Sequence, residues 1–127
     1  HSERRGIRRA CEEMAAAIDA RDAYGRADVR FHNLILLASH NAFLTRLAPL
    51  IEILISTTVR LYADKGWNAA HIGQAALPVH QKVMEAIVAG DSDSAEAAAK
   101  AIIWLAHEDM TAATAPARKP RRSTRRR

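Results

Sequence analysis

The chain has 127 residues, enough for one domain with a single core and too few for two substantial domains. With 5 glycines and 4 prolines beside abundant alanine, and apolar residues at helical rather than alternating spacing, it reads as all-α, with no clear strand. The formal charge of +5 is localised: residues 118–127, RKPRRSTRRR, hold seven of the 19 Lys and Arg, so the body keeps twelve bases against 14 acids, about −2, and is not a basic domain.

In chain order, Ile7, Cys11, Met14 and Ile18 recur at steps of four, three and four, which predicts an amphipathic helix. Arg8 with Glu12 and Arg9 with Glu13 are candidate i,i+4 pairs, and they run base before acid, the weaker order, so packing must supply most of the stability. The lone Cys11 has no internal disulfide partner, in keeping with a reducing compartment. Asp22 is the expected cap of a second helix starting near Ala23 and carrying Asp28, Phe31, His32, Ile35 and Ala38. Asp28 and His32 stand four apart, just over one turn, and so share a face. They read either as two metal ligands or as an ordinary hydrogen-bonded pair.

Asn41 is the expected break and cap before a third helix running to about Asp64, with Phe43, Leu44, Leu47, Leu50, Leu54 and Leu61 as its apolar stripe and Pro49 as a kink or restart. The longest apolar-rich run, NLILLASHNAFLTRLAPLIEILI, is broken by Ser39, His40, Asn41, Arg46 and Glu52 and falls short of the ~18 residues of a membrane span. No secretory leader is evident at the start, so a cytoplasmic location is the expectation. Gly66 is the expected helix stop in ADKGWN. A fourth helix is predicted over about 70–89, bent or begun afresh near Pro78 and including His80, Val83, Met84 and Ile87. A cap at Asp91 or Ser92 then opens a final helix through about Thr111, and the charge run after Pro116 is expected to be disordered. The expected architecture is an antiparallel helical bundle over 1–115 with a basic tail over 116–127.

Asp28, Phe31, His32, Ile35, Ala38, Ser39, Asn41 and Leu44 together form D-x-x-F-H-x-x-(apolar)-x-x-A-S-x-N-x-x-L, which resembles the signature of the FCD domain, the helical effector-binding half of FadR-type regulators in the GntR family. HQKVMEAIVAGDSDSAEAAAKA resembles a second FCD segment through His80, Val83, Ala86, Ile87, Gly90, Asp91 and Ala95. The resemblance spans roughly residues 7–113. It implies a ligand-sensing bundle, a homodimer, a small carboxylic acid effector, and DNA contact only through an attached N-terminal winged helix-turn-helix. On that resemblance, the winged helix-turn-helix and the family's first helix are expected to lie outside these 127 residues. In many members an Asp and three His hold a divalent metal, and Asp28, His32 and His80 match three of those positions. The last histidine belongs 22 residues after His80, where this chain has Ile102.

One carboxylate and two imidazoles suit Zn, Ni, Mn or Fe and keep coordination positions for ligand oxygens. His107, five residues beyond Ile102 and rotated by about 140°, reads as an exposed helix-end residue. Arg60 is the internal candidate to pair with a ligand carboxylate, against the reading of an exposed residue near Asp64. Phe43 and Trp104, at helical spacing, read as core. The tail offers weak, non-specific phosphate contacts. No H-E-x-x-H, Glu-x-x-His pair, glycine-rich phosphate loop or activated cysteine neighbourhood supports an enzyme. The alternatives to a metal-dependent sensor are a metal-free dimerisation scaffold and a module for apolar ligands.

Overall fold

The computed structural model describes residues 1–64 and 69–114, with side chains throughout except at 63, 64, 69–72, 112 and 113. The described residues form α1 (Ser2–Ala16), α2 (Arg21–Ala38), the short α3 (Ala42–Thr45), α4 (Ala48–Asp64), α5 (Ala69–Ala89) and α6 (Ser92–Thr114) and contain no strand. The expected stop at Gly66 and the tail over 116–127 lie outside the described residues.

Helix α1 is the organising element. Its buried residues Ile7, Ala10, Cys11 and Met14 form one stripe at steps of three, one and three, facing Tyr24, Ala27 and Phe31 of α2 and Leu77 and Val83 of α5. Glu13 accepts from Arg30 at 2.8 Å while Gly6, near the other end of α1, lies beside Leu34, so α1 and α2 are antiparallel. Arg4 donates to the Val88 carbonyl at 3.1 Å and Ile18, just past α1, meets Gly73, so α1 and α5 are antiparallel too. Helices α2 and α5 therefore run in the same direction on one side of α1. Of the two pairs anticipated on α1, Arg9–Glu13 forms at 3.2 Å, and Glu13 spends its second oxygen tying α1 to Arg30.

Several boundaries differ from the sequence reading. Helix α2 starts at Arg21 after Ala20, which makes no side-chain cap, so Asp22 sits within the first turn, where its charge still suits the helix N-terminus. Asn41 does cap, its Oδ1 accepting from the Phe43 amide at 2.9 Å. The helix it opens lasts only to Thr45, and Pro49 falls in the first turn of a separate α4, where its missing N–H costs no helical bond. Pro78 is instead accommodated inside α5, which is unbroken from Ala69 to Ala89. Gly90 (φ 78°) then provides the left-handed residue that turns the chain, and the Asp91 carboxylate accepts from the Ser94 amide at 3.0 Å to start α6. Phe43 (70% exposed) and Trp104 (66%) are not core, and Leu50 and Leu54 of the expected stripe are also exposed. These α3, α4 and α6 side chains lie outside the α1–α2–α5 core, whose aromatic members are Tyr24 and Phe31.

Candidate metal centre

The seam between the co-directional α2 and α5 contains the titratable cluster. Asp28 and His32, one turn apart on α2, face His80 on α5, which is 4% exposed and a buried polar residue beside the core. The Asp28 Oδ1–His32 Nε2 and Asp28 Oδ1–His80 Nε2 distances are both 3.2 Å, and the two Nε2 atoms are 3.1 Å apart. The three donor atoms thus form a nearly equilateral triangle. Phe31, fully buried, meets both rings edge-on at centroid distances of 5.5 Å and fixes their orientation from the core side.

His80 Nδ1 lies 2.7 Å from the Ala76 carbonyl, which can only accept, so Nδ1 carries the proton and Nε2 of the neutral ring presents its lone pair to the other two ligand atoms. A backbone carbonyl in this role is the usual way in which a ligating imidazole is oriented. A single proton between the imidazoles joins the rings, yet it leaves Asp28 Oδ1 buried with no aligned hydrogen bond. Burial pushes the Asp28 carboxyl up, but its close contacts with the His32 and His80 imidazoles more than offset this and hold it at about 2. Burial pushes His80 down, and the Asp28 carboxylate and the Ala76 carbonyl more than compensate, so its basicity is raised. The seam is therefore a place that favours positive charge.

A divalent ion fits this donor set. Bonds of ~2.1 Å give donor separations of about 3.0 Å in an octahedron and about 3.4 Å in a tetrahedron, and the observed 3.1–3.2 Å edges lie between them. The orphaned Asp28 Oδ1 is the atom that such an ion would satisfy. Among the described residues the cluster consists of these three groups alone.

Ile102 is partly buried against the core and offers no donor atom. His107 is exposed and stacks on Trp104 at 5.7 Å, away from the cluster. Arg60 is exposed on α4 and lines an open groove of about 350 Å³ between α2 and α4 with Arg21, Arg26, Glu52 and Val59, a groove to which none of the three cluster residues contributes. His40 is exposed, 3.2 Å from Glu3. The wedge role of Phe31 was not read from the sequence, although its place beside His32 in the first motif was visible.

The family model described as the FCD domain matches residues 1–104. The galactonate operon transcriptional repressor of Escherichia coli (strain K12) is 34% identical over 99 residues, covering 76% of this chain and 41% of the relative. The "Putative L-lactate dehydrogenase operon regulatory protein" of the same organism is 31% identical over 100 residues, 79% of this chain and 38% of the relative, and that of Shigella flexneri matches equally. The chain spans about two-fifths of the length of these curated relatives. No solved structure matches it.

Proposed function

The chain belongs to the FCD domain family, and on that premise we propose that residues 1–115 are the effector-binding and dimerisation part of a GntR/FadR-type bacterial transcriptional regulator that senses a small carboxylic acid through a divalent ion. DNA reading belongs to a separate domain of such a regulator, and the tail adds at most charge-based contacts. A cytoplasmic location follows from that role, and no described helix is long and apolar enough to cross a membrane. The names of the similar proteins are those of transcriptional regulators, and the reading assigns no reaction to this chain.

The observation that carries the reading is the triangle of Asp28 Oδ1, His32 Nε2 and His80 Nε2, with His80 locked in the tautomer that frees Nε2. Asp28, His32 and His80 would hold the ion, and the bound ion would supply charge and a directional bond to a carboxylate oxygen. The galactonate and lactate in the relatives' names are both α-hydroxy acids, a class whose carboxylate and neighbouring hydroxyl can occupy two positions of one ion. With three protein donors, such positions are left for the effector. Arg60 lines the other groove, and we assign it no contact with an acid held at the cluster.

Thermal unfolding tests the proposal. The chain loaded with zinc or nickel should gain stability on adding L-lactate or D-galactonate, more than on adding a neutral polyol of the same size. Equal shifts with acid and polyol, or no shift with any carboxylate, would point to the metal-free scaffold instead.

A further inference from the structure

Asp28 and His32 share their face of α2 with one more polar group. Tyr24 stands one turn before Asp28, is 3% exposed, and its hydroxyl is closed to solvent without a hydrogen-bond partner among the described residues. Buried hydroxyls are almost always satisfied, because an unmade bond in the interior is lost relative to water. The orphan is therefore the feature to explain.

Tyr24 is also placed to face the same seam. Its ring lies against α5 at Gly73, seven residues before His80, where a Cβ would come 3.4 Å from Tyr24 Cε2 and 2.8 Å from Ile18 Cγ1. The bare backbone at Gly73 is what lets the phenol reach between the helices. Because α2 and α5 run in the same direction, the Tyr24–Gly73 level is the layer next to the Asp28–His32–His80 level. Burial, and after it the Asp28 carboxylate, pushes the phenol's pKa up, so the group stays a neutral donor within electrostatic reach of Asp28.

We propose that Tyr24 is a specificity-determining residue of this site, its hydroxyl donating a hydrogen bond to an oxygen of the carboxylate held at Asp28, His32 and His80. The proposal rests on the metal-site reading above. A neutral O–H adds no ligand to the ion and no charge to the seam, so Tyr24 acts on the affinity for the acid and not for the metal. A lost hydrogen bond to a charged acceptor corresponds to a weakening of roughly tenfold to a hundredfold.

The test compares Tyr24→Phe with the native chain in three measurements. Phe keeps the ring and deletes only the orphan, so the metal-free variant should unfold at the same or a higher temperature than the native chain, whereas a lower temperature would show that the hydroxyl already has a partner within the protein and would overturn the proposal. Zinc affinity should agree within about threefold, and L-lactate should bind the zinc-loaded variant at least about tenfold more weakly than the zinc-loaded native chain. Equal lactate affinity overturns the role of Tyr24 and leaves the metal site standing, and so does a parallel loss of zinc affinity, which would make Tyr24 a support of the ligands. Failure of the native chain to take zinc, or of its zinc-loaded form to take lactate or acetate, defeats the site reading itself and this proposal with it.

Discussion

At the scale of single residues, the cluster behaves as a receptor for positive charge, and protons report on it in the absence of metal. Asp28 is held at about 2, below the ordinary 3.8, so its interaction stabilises the folded chain fully above about pH 4 and is lost as the pH falls toward 2. His80 is raised above 6.5, so its contribution is complete below that value and is lost as the pH rises through the raised one. Asp28→Asn should therefore cost the metal-free chain most between about pH 4 and 6.5, and urea unfolding should show the difference from native shrinking at pH 2–3. A pH-independent difference would mean that Asp28 is not coupled to the imidazoles. Ile102 is the second test at this scale. Ile102→His should tighten zinc by at least about tenfold if the α6 register delivers the ring to the cluster, and an unchanged affinity would discard that register. The i,i+4 spacing made Asp28 and His32 legible as a pair, and the second motif brought His80 to them. The Tyr24 orphan was not legible, because it depends on which side of α2 meets Gly73, 49 positions away in the chain.

At the scale of elements, the helices follow the apolar periodicity, and the misjudged boundaries fall where local chemistry competes. Asp22 offered a cap by composition, but the helix begins at Arg21, two residues before the expected Ala23, because the Ala20 carbonyl already accepts the first helical bond, from the Tyr24 N–H at 2.8 Å. Asn41 was read correctly because its side chain has two amides to satisfy, those of Phe43 and Leu44. Asn41→Ala should lower stability by about 1 kcal/mol, measured by urea unfolding, and no loss would show that α3 contributes nothing to the fold. Gly73→Ala should cost about 1–3 kcal/mol despite alanine's better helix propensity, since its Cβ would lie 2.8 Å from Ile18 Cγ1. A neutral or stabilising outcome would mean that Ile18 moves aside freely. The apolar residues of α4 were assigned inward from their spacing alone, and spacing cannot say which side of a helix has a neighbour.

At the scale of the whole molecule, α4 and α6 expose Leu50, Ile53, Leu54, Ile103 and Trp104, more large apolar side chains than a small monomer usually leaves to water. We expect a homodimer at tens of micromolar that uses this surface, weakened by Trp104→Asp and unaffected by removal of residues 118–127; sedimentation equilibrium showing a monomer, or a dimer indifferent to Trp104, would contradict it. Sensing, in this account, begins at the α2–α5 seam. Calorimetric titration of the metal-stripped chain with zinc or nickel, run beside His32→Ala, tests it most directly. The account predicts one ion per chain for the native protein and an affinity lower by on the order of a hundredfold or more for His32→Ala; no binding to the native chain, or equal binding to both, would contradict it.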